Sequence, residues 1–379
     1  MIRVLHVITG LRTGGAEMML YKLVSRTNRN DFGHEVVSLG ESGPIGSKIA
    51  SLGIRVSSLG MRRRPSGVLA GTAILTVRVV RNRPDIVQTW MYHADLLGGI
   101  AARLARRVAV VWNVQASDLD SRHIRRSTIW TARACAKASG LLPDRILCCA
   151  ESVREIHAAL GYQRNRMQVI HNGFDVDEFR PDGLAREALR KELGLPSGSL
   201  LIGMVARFDP MKDHRTFVEA ASVLNRERVD VAYVLCGDGV TWDNRQLSGW
   251  IENAGLRARF YLLGRRDDMP RICAALDVAS LCSFYGEGLP NVIGEAMACG
   301  VPCVVTDVGG CASLVDGTGL VVSARNPAGL AGAWRQLLDM AAEQRRRMGS
   351  AARCRIEQTF GIGRVVAEYE AVYRELVAR

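Results

Sequence analysis

Two series of short apolar runs, each alternating with helical stretches, limit the fold of this chain more than any other feature of its sequence. Strands that alternate with helices form parallel βαβ units. The predicted strands of the first series are 3–8, 34–39, 55–59, 85–90, 109–114, 145–150 and 167–171, and those of the second are 200–206, 231–237, 259–264, 278–283, 302–306 and 320–322. The sequence therefore predicts an α/β protein of two doubly wound, Rossmann-like domains that face each other across a cleft, with ligands at the carboxyl ends of the strands.

Two clusters of turn-forming residues, at 171–175 and 181–183, separate the two series. We expect a first domain over 1–175, a second over 176–360, and a C-terminal helix over 361–379 that packs back on the first domain. The predicted helices are 18–27, 66–82, 94–107, 124–139, 151–160, 213–227, 243–254, 267–276, 288–299, 327–342, 348–358 and 365–377.

The composition is that of a soluble globular protein, with 48% hydrophobic and 23% charged residues. No apolar run approaches the roughly 18 residues of a membrane span, and the first residues do not have the pattern of a signal peptide. The ten cysteines lack zinc-site spacing, which favours buried, reduced thiols. These features predict a cytoplasmic protein.

The net charge of +12 lies entirely in the first half of the chain. Residues 1–180 contain 26 Lys and Arg against 14 Asp and Glu, whereas residues 181–379 contain 24 of each. Such asymmetry indicates an anionic partner, either a membrane surface or a nucleic acid. No nucleic-acid recognition motif is present, so we expect peripheral binding to an anionic membrane. The basic residues that suggest it are Arg62, Arg63, Arg64, Arg103, Arg106, Arg107, Arg122, Arg125 and Arg126, the last three near Ile124, Ile129 and Trp130.

Residues 283–300 form a strand–loop–helix segment that carries two carboxylates, Glu287 and Glu295, with seven residues between them. Eight helical residues rise about 12 Å, whereas the paired carboxylates of glycosidases are about 5–9.5 Å apart. A helix that begins near Gly288 would instead offer backbone N–H groups to a phosphate, over Gly288, Leu289 and Asn291. The two glutamates could then accept hydrogen bonds from the hydroxyls of a bound sugar nucleotide.

Two further segments are candidates for phosphate contacts. Arg207 and Lys212 lie in the loop after the strand 200–206 and could clamp a diphosphate, although two solvated charges in a loop would look the same. Gly14 and Gly15 follow the first strand, where a glycine-rich turn either approaches a phosphate or simply makes a tight turn.

The segment 283–300 resembles the Glu-x7-Glu signature of retaining glycosyltransferases of family 4, which have the GT-B fold. The likeness extends over nearly the whole chain, through Gly14-Gly15-Ala16-Glu17, Asn172-Gly173 and the Arg207–Lys212 pair. The resemblance implies that Arg207 and Lys212 hold the donor phosphates, which Gly14 and Gly15 face across the cleft. It also implies that Gly264 and Arg265 meet the nucleotide base, that Glu287 positions the sugar, and that Glu295 binds the ribose.

One departure from the family pattern concerns the transferred sugar. Many relatives carry a histidine at the end of the fifth strand of the first domain, where this chain has Asn113-Val114-Gln115. His93, Asn113 or Gln115 could supply the polar contact, although a histidine at a helix start more often caps or packs. Two Asp-x-Asp pairs, at 118–120 and 175–177, fit turns better than a metal site, so no metal or cofactor is expected.

The sequence thus predicts a metal-independent, retaining glycosyltransferase of the hexosyl or N-acetylhexosaminyl class. Its second domain would bind a nucleoside-diphosphate sugar, and its basic first domain would bind a hydroxyl acceptor such as a lipid-linked or cell-surface glycan precursor. Two alternatives remain open: a nucleotide-sugar epimerase of the same fold, and a catalytically inactive, membrane-associated binding protein.

Overall fold

The computed structural model describes residues 1–61, 65–105, 108–120, 122–196 and 198–378. The chain divides into two compact units. One unit contains Met1–Gly173 together with Ile362–Arg379, and the other contains Phe174–Gly361. These boundaries lie within two residues of those expected from the turn clusters.

Parallel strands form one sheet in each unit. The strands are β1 Ile2–Ile8, β2 Phe32–Ser38, β3 Arg55–Ser58, β4 Ile86–Trp90, β5 Ala109–Val114, β6 Arg145–Cys148, β7 Met167–Val169, β8 Leu200–Val205, β9 Val231–Cys236, β10 Phe260–Leu262, β11 Val278–Leu281, β12 Cys303–Thr306 and β13 Gly319–Val322. Over the described residues, the order in the first unit is β3-β2-β1-β4-β5-β6-β7, and in the second it is β10-β9-β8-β11-β12-β13. The predicted α/β class, with two doubly wound domains, is confirmed.

Helices connect the strands and cover both faces of each sheet. They are α1 Gly15–Arg26, α2 Pro44–Ser51, α3 Pro65–Asn82, α4 Tyr92–Ala105, α5 Arg126–Ala138, α6 Glu151–Leu160, α7 Gly183–Glu192, α8 His214–Asn225, α9 Arg245–Asn253, α10 Met269–Ala275, α11 Asn291–Ala298, α12 Cys311–Val315, α13 Pro327–Asp339, α14 Ala342–Arg355 and α15 Ile362–Val377. The sequence did not predict α2, α7 or α12. The sequence predicts a turn at 181–183, but Asp182 instead caps α7 by accepting a hydrogen bond from Ala185 N.

The last helix belongs to the first unit, although it is the last element in the chain. Tyr369 and Tyr373 of α15 are fully buried against the first sheet. The Asn113 side chain on β5 donates to the Tyr369 hydroxyl at 2.6 Å. The Tyr373 hydroxyl donates to Gln88 on β4. These bonds hold α15 against the centre of the sheet.

The second unit has its core around three aromatic side chains, Phe217, Tyr233 and Trp334, all of which are fully buried. The Trp334 indole donates to Ser280 Oγ at 3.2 Å, so its one polar group is satisfied inside the core. This packing joins α8 and α13 to β9 and β11 and makes the sheet a rigid support for the loops at its edge.

The basic segment around α5 differs from its expected form. Ile129 packs into the first unit, Arg122 pairs with Asp120 at 2.9 Å, and Arg103 pairs with Asp144 at 2.9 Å. Residues 62–64, 106 and 107 lie outside the described part of the chain. Ile129 therefore faces the interior of the first unit, and not a lipid surface as expected.

All ten cysteines lie in the described residues as free thiols, and all but Cys354 are buried. Among the described residues, no helix combines the length and the apolar character that crossing a bilayer demands.

Four buried histidines should make the fold sensitive to acid. Burial lowers the pKa of His6 well below its usual value, and it lowers those of His34, His157 and His214 to about 4. Below pH 6.5 the unfolded chain binds protons at these sites that the folded chain does not, so stability falls as the pH falls. Burial also raises the pKa of Asp95 to about 7, so between pH 4 and 7 the folded chain binds a proton there that the unfolded chain does not. This proton offsets one of the four that the histidines take up on unfolding.

We therefore expect the free energy of unfolding to fall between pH 6.5 and 4, by up to about 4 kcal/mol per pH unit where three net protons are taken up. Urea midpoints measured from pH 7.5 to 4.5 test this. A His157→Gln variant should show a shallower dependence. A midpoint that does not change over this range would contradict the prediction.

Candidate active site

Lys212 lies in a tight turn that follows β8. The turn, Pro210–Lys212, is a single 3-10 segment capped by Asp209, whose carboxylate accepts from Met211 N at 2.9 Å. Asp213 follows in the left-handed conformation (φ 48°) and caps α8 by accepting from Thr216 N. These two caps fix the turn on both sides of Lys212. The adjacent His214 is buried and, because burial lowers its pKa to about 4, it adds no charge at neutral pH.

Glu287 lies in the loop between β11 and α11 and is buried, with 6% of the residue exposed. Its Oε1 atom accepts hydrogen bonds from both Lys212 Nζ and Ser283 Oγ. A backbone bond from Phe284 N to Met211 O, 2.8 Å long, joins the two loops beside this cluster. A charged pair this well buried loses most of its solvation and adds little net stability, which favours a functional role over a purely structural one.

The pair of Lys212 and Glu287 occupies the point where the order of the second sheet reverses. The sheet runs β10-β9-β8 in one direction and β11-β12-β13 in the other. Lys212 follows β8 and Glu287 follows β11, the two strands that flank the reversal. Open α/β sheets bind ligands at the carboxyl ends of strands at this position. Topology and side-chain chemistry thus indicate the same place.

Arg207 lies in the same loop as Lys212 but is half exposed, and its Nε is 3.1 Å from Asp209 Oδ2. The neighbouring loops support this segment. A Cβ on Gly237 would lie 2.2 Å from Ala206 O, and Gly237 N donates to Gly264 O at 2.8 Å. Gly264 is buried in the left-handed region (φ 62°), and Arg265 beside it is exposed. The loops after β8, β9 and β10 therefore form one connected edge.

The helix after Glu287 begins later than predicted. It starts at Asn291 rather than near Gly288, because Pro290 adopts an extended conformation and caps it. Gly288 and Leu289 lie in the loop, where the Gly288 carbonyl accepts from Gly310 N at 2.8 Å. Glu295 is half-buried and lies just over one turn inside the helix, instead of the two turns expected.

In the first unit, the predicted residues follow the two strands where the order of that sheet reverses. Gly14 and Gly15 follow β1 and begin α1, and a Cβ on Gly14 would lie 2.3 Å from Glu17 Oε2. His93 follows β4 in the first turn of α4, with its Nε2 3.4 Å from Thr131 Oγ1. Met91, two residues before His93, has φ 73°, a conformation that few non-glycine residues adopt.

The two alternatives to His93 have different positions. Asn113 is fully buried, donates to Tyr369, and accepts from Gln115 Nε2 at 2.7 Å through its own carbonyl oxygen. It is therefore engaged inside the unit. Gln115 is half-buried at the carboxyl end of β5, where Asn113 orients its amide.

The two Asp-x-Asp pairs form turns. Asp118 accepts from Asp120 N at 2.7 Å, and Asp175 accepts from Asp177 N at 3.1 Å. Within the described residues, no group of three or more His, Cys, Asp or Glu side chains is arranged to hold a metal ion.

Two protein-family models together match most of the chain. Residues 185–355 match the model of glycosyl transferases group 1, and residues 13–178 match that of glycosyltransferase family 4. The chain belongs to glycosyltransferase family 4. The first match contains Lys212, Glu287 and Glu295, and the second contains Gly14 and His93.

The curated relatives of this family 4 protein include three enzymes or putative enzymes. It is 32% identical over 236 residues to the Escherichia coli UDP-Gal:alpha-D-GlcNAc-diphosphoundecaprenol alpha-1,3-galactosyltransferase, covering 61% of this chain and 59% of that protein. It is 27% identical to the putative glycosyltransferase EpsF of Bacillus subtilis, covering 80% of this chain and 79% of that protein. It is 30% identical to the D-inositol 3-phosphate glycosyltransferase of Mycobacterium tuberculosis, covering 77% of this chain and 62% of that protein. The aligned region thus spans about three fifths of two of these relatives.

Solved structures share the fold of this family 4 protein. Anabaena Alr3699/HepE in complex with UDP superposes with a TM-score of 0.86 at 22% identity, covering 99% of this chain and 100% of that one. Sucrose-phosphate synthase from Thermosynechococcus elongatus gives a TM-score of 0.81 at 17% identity and covers all of both chains. The likeness confirms the predicted GT-B fold.

Sequence reasoning missed Ser283 and Asp209 of this family 4 protein. Ser283 bonds Glu287, and Asp209 both caps the Lys212 turn and pairs with Arg207. Each lies within four residues of a predicted site residue and at the end of a predicted strand. A search for polar side chains at strand ends would have included both, but only the folded loops show which atoms they contact.

Proposed function

We propose that this protein is a retaining glycosyltransferase that moves a hexosyl or N-acetylhexosaminyl group from a nucleoside-diphosphate sugar to a hydroxyl acceptor. The observation that carries the proposal is the buried cluster of Lys212, Glu287 and Ser283 at the reversal point of the second sheet. The family supports it, since the E. coli relative is named for a UDP-sugar donor. Anabaena HepE has been solved with UDP-glucose.

In this reaction the bond between the anomeric carbon and the donor phosphate breaks, and a bond from that carbon to the acceptor oxygen forms on the same face. The acceptor proton passes to the departing diphosphate. Lys212 and Arg207 offset the negative charge that develops on the diphosphate, and the backbone of Gly288, Leu289 and Asn291 contacts it. Because Ser283 and the Lys212 turn fix Glu287, its carboxylate can hold a sugar hydroxyl in a defined position.

The remaining donor contacts follow from the loops already described. We assign Glu295 to the ribose and Gly264 and Arg265 to the base, because all three lie along the same edge of the second sheet. The two cations supply positive charge at the leaving group, so the proposed reaction uses no metal or cofactor. In the first unit we assign the acceptor, with His93 or Gln115 as its polar contact.

The acceptor that we propose is a lipid-linked glycan precursor. The printed name of the E. coli relative includes a GlcNAc-diphosphoundecaprenol acceptor. The positive charge of the first half of the chain suits a diphosphate-bearing lipid and an anionic membrane surface. We accordingly place the protein at the inner face of the cell membrane, as a peripheral protein.

A donor panel tests this function. The purified protein is incubated in EDTA with UDP-galactose, UDP-glucose or UDP-GlcNAc, with and without an α-D-GlcNAc-diphospholipid, and UDP release is measured. We expect release from one donor that depends on the acceptor, and a product that keeps the α configuration by NMR. An epimerised sugar without acceptor would instead indicate the epimerase, and donor binding without turnover would indicate the inactive binding protein. Activity that returns only with Mg²⁺ or Mn²⁺ would contradict the metal-independent mechanism.

A further inference from the structure

Helix α3 is apolar on two opposite faces. Its inner face packs into the first unit through Leu75 and Val79, which are almost fully buried. Its outer face carries Leu69 and Val77, which are 73% and 62% exposed, together with the exposed Ile74 and Val80. These four positions fall within about 140° around the helix axis, so they form one continuous stripe. We refer to Leu69, Ile74, Val77 and Val80 as the outer stripe.

Exposed apolar side chains scattered singly over a surface are ordinary, but a stripe along a helix of 18 residues is not. The only charged residue inside the helix before its last turn, Arg78, is turned inward and pairs with Glu35 at 3.2 Å. The outer stripe therefore has no charge of its own to keep it in water. Moving this surface from water into an apolar phase would lower the free energy.

The neighbouring helices extend this surface. Helix α3 packs against α4, and α4 packs against α5, so the three helices form one layer. Leu104 on α4 and Trp130 on α5 are both about 70% exposed, and the guanidinium of Arg133 lies 6.0 Å from the Trp130 ring centre. An exposed tryptophan beside an arginine is typical of the boundary between lipid tails and headgroups.

The charges around the outer stripe are positive. Arg81 and Arg83 are exposed at the end of α3, and Arg125 and Arg126 are exposed at the start of α5. Neither α3 nor α5 contains an aspartate or glutamate. Arginines that flank an apolar stripe match an anionic bilayer, in which phosphates lie above the acyl chains. A second copy of this chain would bring the same arginines towards one another.

We infer that the outer stripe of α3 is a membrane-contact surface, which inserts its apolar side chains among the acyl chains of an anionic bilayer while the flanking arginines contact lipid phosphates. The biological purpose of this contact rests on the proposed lipid-linked acceptor. The contact itself depends only on the surface of the first unit. The sequence suggested that the α5 segment around Arg122 would make the principal apolar contact. Because Ile129 of that segment is buried, we assign this contact to the outer stripe instead.

Vesicle flotation of the full chain tests the inference. The protein should float with vesicles of phosphatidylglycerol and phosphatidylcholine and stay behind with phosphatidylcholine alone. A Leu69→Ser/Val77→Ser variant should lose at least four fifths of the floated protein. Leu184→Ser is the matched control, since Leu184 is 81% exposed on α7 of the second unit, and it should float like the unchanged protein.

The arginines are tested in the same way. Arg125→Glu/Arg126→Glu should weaken flotation severalfold, whereas Arg346→Glu/Arg347→Glu, an exposed pair on α14, should not. Sodium chloride at about 0.5 M should release part of the bound protein, because the Debye length falls below about 5 Å. Melting temperatures confirm that each variant is folded.

Three results would overturn the inference. One is flotation of the Leu69→Ser/Val77→Ser variant equal to that of the control, and another is equal recovery on neutral and anionic vesicles. The third is a dimer, seen by light scattering, that these substitutions dissociate, which would assign the outer stripe to a second copy. The proposed function is judged separately by UDP release in the absence of vesicles, so a failure of flotation with intact transfer would refute only the membrane contact.

Discussion

Replacing Lys212 with alanine is expected to lower turnover about a hundredfold, the effect of removing one group that stabilises a developing anion. Lys212 is held in a capped turn at the reversal point of the second sheet, where the donor diphosphate is proposed to bind. UDP release at saturating donor measures the loss. Lys191→Ala removes an exposed lysine from α7 of the same unit and should leave turnover unchanged.

The same substitution also has a structural cost. Lys212 and Glu287 are both nearly buried, so removal of the lysine leaves the Glu287 carboxylate without its cation. Breaking a buried pair in this way costs about 3–5 kcal/mol. Low activity alone would therefore not distinguish a catalytic lysine from one that only supports the loop.

A double-mutant cycle separates the two effects. Lys212→Ala/Glu287→Gln removes both charges while keeping a side chain that Ser283 can bond, so most of the lost stability should return. Turnover should stay low, because Arg207 is then the one proposed cation left to face the diphosphate and the Glu287 carboxylate is gone as well. Recovery of both stability and turnover in the double variant would show that Lys212 serves only to balance Glu287.

Replacing Gly294 with alanine is expected to destabilise the second unit by about 1–3 kcal/mol, the usual cost of overpacking a core. Gly294 lies inside α11, and a Cβ there would be 2.2 Å from Cζ of the buried Phe174 ring. Either the ring or the helix must move. At roughly 2–4 °C per kcal/mol for a unit of this size, thermal unfolding should show the change clearly.

Gly332→Ala is the matched control for this substitution. Gly332 also lies inside a helix of the second unit, α13, but a Cβ there meets nothing within 4 Å. This variant should gain up to about 1 kcal/mol, because alanine is a better helix former than glycine. Adding Phe174→Leu to Gly294→Ala should give less destabilisation than the two single changes summed. A Gly294→Ala protein as stable as the control would contradict the close contact.

The strands and their order were the most predictable part of the fold. Buried parallel strands have nearly continuous apolar runs, and every predicted strand lies within two residues of an observed one. Short helices were the least predictable. Helix α12 has five residues, too few for a period of 3.6 to show, and α7 begins with an aspartate and a glycine that also favour turns.

The candidate site was predictable in its residues but not in its contacts. Spacing and resemblance indicated Lys212 and Glu287 separately, one for a phosphate and one for a sugar. Their ion pair arises because β8 and β11 are neighbours in the sheet although 72 residues lie between the two strands. Nothing local in either segment encodes that adjacency. The start of α11 was also mispredicted: Pro290 disfavours a helical conformation at the residue before it, so the helix begins at Asn291, three residues later than expected.

The position of α15 in the first unit has a consequence for synthesis on the ribosome. Residues 174–361 form a continuous segment that contains the whole second unit, so this unit can fold as soon as it emerges. The first unit is still incomplete at that point, because α15 supplies the two tyrosine hydroxyls that bond to Gln88 and Asn113. During translation the apolar surface that Tyr369 and Tyr373 will cover stays open until α15 has been made, so the unit that is begun first is completed after the second one.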